Sequence, residues 1–151
     1  MKIAIGTDHA GFELKQALAQ KLKEWGYEVQ DEGAYNTEAS DYPIFAEKVA
    51  KSVASGEAER GIVICGNGIG MSIAANKVPG IRAALVVNEK TAKETREHND
   101  SNVLSLAGRD LPVDFNLKLA EIWLKTPFTH IERHVRRVEE IEKMDQTYLK
   151  A

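Results

Sequence analysis

Cysteine is almost absent from this 151-residue chain, which carries one, at position 65. A lone thiol excludes an intramolecular disulfide, so stability has to come from packing. Proline is scarce as well, at four residues, and aromatic residues make up 7% of the sequence. No apolar run nears the roughly 20 residues that cross a bilayer, and there is neither a repeat nor a low-complexity tract. Nor does charge of one sign dominate. Twenty basic residues against 23 acidic ones give a formal net charge of -3, which argues against a nucleic-acid surface. The amino terminus runs from Met1-Lys2 straight into Ile3-Ala4-Ile5 without a signal-like segment, so a cytoplasmic protein is expected.

What is present is an alternation of short apolar runs with segments of helical period, the pattern of a parallel sheet with helices on both faces. The strand candidates are residues 2–6, 27–31, 61–65, 81–87 and 102–107. Leu14, Leu18, Leu22 and Trp25 mark one face of a first helix that Gly26 stops. A second opens at Ser40-Asp41-Tyr42-Pro43, where Asp41 can cap and proline suits the first turn. Tyr42, Phe45, Ala46, Val49, Ala50 and Val53 supply its expected buried stripe. A third runs to about Asn76, before Pro79-Gly80 turns the chain. A charged helix ends at His98-Asn99-Asp100, and two more cover residues 115–124 and 131 onward. No linker interrupts residues 1–151, so one α/β domain is expected.

In open α/β sheets ligands gather beyond the carboxyl ends of the strands, and most of the unusual residues fall there. The third strand ends in Cys65-Gly66-Asn67-Gly68-Ile69-Gly70. A dinucleotide fingerprint would need glycine where Met71 stands, and a P-loop would need Gly-Lys-Ser/Thr. The loop is therefore either a nest of N–H groups for a phosphate or an enediolate, or simply a tight strand-to-helix turn. Cys65 fits a small buried apolar residue and equally a thiolate at a helix start. Asp8 and His9 follow the first strand, where Asp8 suits a helix N-cap and His9 a surface position. His98 suits a helix C-terminus and also proton transfer near neutral pH. On the last helix Ile131, Val135 and Val138 form a buried stripe, with Arg133, Arg136 and Arg137 opposite, as a phosphate grip or a solvated face. His130 and His134 share metal-ligand spacing, but their element offers no third ligand.

Taken together, Asp8-His9-Ala10-Gly11, Asp41-Tyr42-Pro43, Cys65 through Gly70, Ala74 through Arg82 and Arg96 through Asp100 strongly resemble the type B ribose-5-phosphate isomerase family, which includes galactose-6-phosphate isomerases. The resemblance runs from residue 2 to about residue 142. It implies a Rossmann-like three-layer α/β/α sandwich with a five-stranded parallel sheet, assembled as a homodimer or a dimer of dimers. It also implies aldose–ketose isomerisation of a sugar phosphate through a cis-enediolate, without metal or organic cofactor.

By the same resemblance Cys65 is the base, and Gly66, Asn67, Gly68, Ile69 and Gly70 line the enediolate site. His98 opens the sugar ring with Asp8 as its counterpart, while Asn99 and Tyr42 contact substrate. His9, Arg109, Arg133 and Arg137 hold the phosphate, with His98, Asn99 and Arg109 reaching across from a neighbouring subunit.

Two features depart from the family pattern. Asn67 stands where threonine is usual, and an amide cannot relay a proton as a hydroxyl can. Residues 88–95 are also more polar than usual. Ribose 5-phosphate is the expected substrate, with galactose 6-phosphate, allose 6-phosphate or a four-carbon sugar phosphate as alternatives. A phosphometabolite-binding module without turnover is the reading from another class.

Overall fold

Side chains alternate across the central strands and feed two separate cores. Ile3, Ile5, Ile62, Ile64, Leu104 and Leu106 point to one face, Ala4, Val63, Cys65 and Val103 to the other. The computed structural model describes residues 1–149. Its strands are β1 (Lys2–Thr7), β2 (Glu28–Asp31), β3 (Arg60–Cys65), β4 (Ala83–Leu85) and β5 (Val103–Ala107), all parallel in the order β2-β1-β3-β5-β4. The helices are α1 (Phe12–Glu24), α2 (Tyr42–Ala54), α3 (Ile69–Ala75), α4 (Glu89–Asn99), α5 (Val113–Lys125) and α6 (Glu132–Met144). Helices α1, α4 and α5 contribute to the first core, and α2 and α3 to the second. The three-layer architecture expected from the sequence is the one observed.

Local chemistry explains the boundaries. Leu14, Leu18 and Leu22 are buried along α1, each contributing about 1.5–3 kcal/mol by leaving water. Gly26 then takes φ +92, and the N–H groups of Gly26 and Tyr27 donate to the carbonyls of Lys23 and Leu22. The α2 start differs from expectation. Asp41 sits at the N-cap without a side-chain hydrogen bond, and Tyr42 is exposed rather than part of the buried stripe. Strand β4 is shorter than residues 81–87 because it pairs only with β5, at the sheet edge. On α6 the buried positions are His134 and Val138, while Ile131 is exposed at the N-cap and Val135 is half-buried. This helix packs on α4 instead of lying over the sheet, so a narrower stripe suffices to hold it.

Gly11 permits the loop after β1 to approach β3. A Cβ there would lie 2.3 Å from Ile64 Cγ2 and 2.4 Å from Thr7 Oγ1, both fixed at strand ends. Gly11→Ala is expected to destabilise the protein by about 1–3 kcal/mol through overpacking. A urea midpoint unchanged by the substitution would contradict this packing.

Candidate active site

Because β1, β3 and β5 are neighbours, the loops leaving their carboxyl ends meet. The loop after β5 is stitched onto the loop after β3. Gly108 N–H donates to the Cys65 carbonyl at 2.8 Å, and the N–H groups of Arg109 and Asp110 donate to the Gly66 carbonyl at 2.9 and 3.2 Å. Between these loops lies a pocket of about 470 Å³ lined by Asp8, His9, Ala10, Tyr42, Cys65, Gly66, Asn67, Ile69, Gly70, Ile73 and Arg109.

Cys65 ends β3 and is 5% exposed. Its side chain packs in the core with Met71 yet lines the pocket. The thiol is therefore shielded from bulk water but open to whatever enters. Gly68 follows at φ +79, where a Cβ would meet Leu85 Cδ1 at 2.5 Å and the Leu106 carbonyl oxygen at 3.1 Å. Buried Ser105 donates from Oγ to the Gly68 carbonyl at 2.6 Å, fixing the turn from below. Asn67 Oδ1 accepts the Ile69 N–H at 2.9 Å. Its amide oxygen is thus spent on the loop, leaving Nδ2 as a donor.

Asp8 is buried, and its Oδ1 accepts the Ala10 N–H at 2.9 Å, capping a single 3-10 turn over His9–Gly11 that leads into α1. His9 is half-buried and exchanges two hydrogen bonds with Ser40. Its backbone N–H donates to Ser40 Oγ at 3.2 Å, and the Ser40 N–H donates to His9 Nδ1 at 3.1 Å. Tyr42 lies against α3, where a Cβ on Gly70 would come within 2.5 Å of its ring. Asn67, His9, Tyr42 and the Arg109 guanidinium thus line one pocket with a thiol and a carboxylate.

His98, Asn99, Arg133 and Arg137 do not line this pocket. His98, Arg133 and Arg137 belong to a second cluster, where α4 meets α6. The His98 ring lies 4.7 Å from that of His134, and His134 Nδ1 is 2.6 Å from Thr129 Oγ1. Burial, then Arg133, His98 and Arg137, hold the His134 imidazole below its ordinary range. Such a cationic patch favours an anion. Asn99 lines a neighbouring hollow with Arg82 and Thr95.

One expectation changes, and one open alternative resolves. Arg109, expected to reach across from a neighbour, lines the Cys65 pocket of its own chain. The stitching of residues 108–110 to Cys65 and Gly66 places it there. Arg136 is bound to both Glu132 oxygens at 2.9 and 2.8 Å, whereas Arg133 and Arg137 carry no such ion pair among the described residues. Sequence reasoning missed Ala10, Ile73, Ser40, Ser105 and His134. Ser40-Asp41 was visible only as a helix start and His134 only as half of a metal-spaced pair with His130, and nothing in the pattern marks Ser105. Among the described residues no three His, Cys, Asp or Glu side chains are grouped to hold a metal ion, and no helix is long and apolar enough to cross a membrane.

Residues 3–141 match the family model described as Ribose/Galactose Isomerase. The chain is 43% identical over 145 residues to ribose-5-phosphate isomerase B of Escherichia coli, covering 96% of this chain and 97% of that protein. A structure of ribose-5-phosphate isomerase B from Clostridium thermocellum superposes with a TM-score of 0.95 at 51% identity, covering 98% and 99% of the two chains. Another, from Mycoplasma genitalium with bound ribulose 5-phosphate, gives a TM-score of 0.92 at 41% identity, covering 96% of each.

Proposed function

This chain belongs to the ribose/galactose isomerase family, and we propose that it interconverts ribose 5-phosphate and ribulose 5-phosphate. The observation that carries the reading is the pocket itself, where the buried Cys65 thiol faces the N–H-rich glycine loop and Arg109. It supplies a base, donors for a developing oxyanion and a cation for phosphate in one place.

In the open-chain aldose, the Cys65 thiolate takes the proton from C2. The freed electron pair forms the C1–C2 double bond, and negative charge collects on O1. Backbone donors of the 66–70 loop other than the Ile69 N–H, which Asn67 Oδ1 engages, stabilise that charge with Asn67 Nδ2 as it forms, where preorganisation is most effective. O1 is protonated, O2 gives up its proton to become the ketone, and the Cys65 thiol returns a proton to C1. His9 and Arg109, with Arg133 and Arg137, grip the phosphate far from the reacting carbons and fix orientation. His98 and Asp8 move the protons that open the furanose ring, and Asn99 and Tyr42 contact hydroxyls.

We assign the His98, Asn99, Arg133 and Arg137 contributions to a second copy of the chain. In one protomer they stand apart from the Cys65 pocket, and the pocket's surroundings leave Ile69, Ile73, Leu85 and Val87 exposed. A homodimer, or a dimer of dimers, would bring the two clusters together, as a single-domain cytoplasmic enzyme with shared sites. The test is turnover of aldose phosphates from four to six carbons in buffer with chelator. Ribulose 5-phosphate formed fastest from ribose 5-phosphate supports the reading. A faster six-carbon substrate would reassign the sugar, and binding without turnover of any of them would sink the enzyme reading.

Gly70 offers a separate check of the Tyr42 placement. Gly70→Ala would push the exposed Tyr42 ring away at little cost in stability, since the ring can swing. A KM raised about threefold to tenfold, at near-constant kcat, is expected from a lost substrate contact. Unchanged KM would remove Tyr42 from the binding surface.

A further inference from the structure

The segment between β2 and α2 is anchored at both ends, and its far end falls on His9. At its root Lys15, 2% exposed on α1, donates from Nζ to both Asp31 carboxylate oxygens at 2.8 and 2.9 Å and to the Ala34 carbonyl at 2.6 Å. Asp31 Oδ1 also accepts the Gly33 N–H at 2.9 Å. Thr7 and residues 33–34 exchange two backbone hydrogen bonds at 2.7 Å, which ties this root to the end of β1. At the far end come the two reciprocal bonds between Ser40 and His9.

The second of those bonds has a chemical consequence. A backbone N–H can only donate, so His9 Nδ1 must present its lone pair to Ser40. In the neutral imidazole the proton then sits on Nε2. We infer that Ser40 is a positioning residue, which holds His9 as the Nε2–H tautomer and turns that N–H into a fixed donor for the substrate phosphate. The Ser40 hydroxyl secures the arrangement by accepting the His9 backbone N–H. His9 thereby serves as an oriented donor and not as a base, because its lone pair is occupied by the protein. This inference rests on the proposed phosphate role of His9 for its function, but the tautomer itself does not.

The test is nitrogen-15 NMR of the full-length protein labelled at histidine and backbone nitrogen. A lone-pair Nδ1 and a protonated Nε2 on His9, with a scalar coupling from the Ser40 amide to Nδ1 across the hydrogen bond, are expected. Addition of inorganic phosphate should then shift the Nε2–H resonance. Ser40→Ala should weaken phosphate binding and raise KM for ribose 5-phosphate about fivefold with kcat within about twofold, the effect of one hydrogen bond. Ser40→Thr, which keeps the hydroxyl, should restore both. An Nδ1–H tautomer in the wild-type protein overturns the inference, and a Ser40→Ala protein with unchanged phosphate affinity, which keeps the Ser40 backbone N–H, overturns the part assigned to the hydroxyl. If the tautomer and the phosphate response are found but no sugar phosphate is turned over, the isomerase reading fails and this inference stands.

Discussion

Cys65→Ala is expected to lower kcat for ribose 5-phosphate by about 100- to 10,000-fold, the range for loss of a positioned general base. The remainder of the pocket does not depend on the thiol. Gly68 is held by Ser105, Arg109 by the Gly66 carbonyl, and Asp8 by its own cap. Ribulose 5-phosphate should therefore bind the variant with near-normal affinity. The cost in stability should be small, because alanine replaces a small side chain at 5% exposure and removes only one heavy atom. Near-normal turnover by a folded Cys65→Ala protein would reject the thiol as base.

His98→Ala should lose isomerisation to a similar degree, about 100-fold or more, but by another route. Ribulose 5-phosphate has its terminal hydroxyl phosphorylated and cannot close a furanose ring through it. Removal of a C1 proton from the ketose therefore needs Cys65 but no ring opening. In heavy water, His98→Ala is expected to keep exchange at C1 of ribulose 5-phosphate while failing on the furanose of ribose 5-phosphate. Cys65→Ala should lose both. Equal loss of exchange in the two variants would place His98 in the enolisation step instead.

Much of this architecture was legible because its signals are local. Gly26 stops α1 with a positive φ that its glycine permits, and the buried leucines recur one helical turn apart. The β1 and β3 loops were placed together by a general rule of parallel sheets, and Asp8, His9, Cys65, Gly66, Asn67, Ile69 and Gly70 do share one pocket, while Gly68 turns away from it towards Leu85 and Leu106. What the pattern missed depends on distant partners. Tyr42 has an apolar ring at the right helical phase, but it lies beyond the end of the core and rests on Gly70. Ile131 shares the phase of Val135 and Val138, yet it precedes the first turn of α6 and stays exposed. The polar His134 takes the buried place because Thr129 satisfies its ring nitrogen and His98 covers its face. Arg109 illustrates the limit most clearly. Its pocket is set by three backbone hydrogen bonds between residues 43 or 44 apart in sequence, which no spacing rule anticipates.

The central claim is that two clusters standing apart in one chain form one active site between two copies. Its most direct test mixes two inactive proteins, Cys65→Ala and His98→Ala, by co-expression. In a mixed dimer one site contains both lesions and the other neither. Random pairing into dimers should then restore about a quarter of wild-type activity, from parents that have almost none. A mixture that forms mixed dimers and remains as inactive as its parents would contradict the shared site.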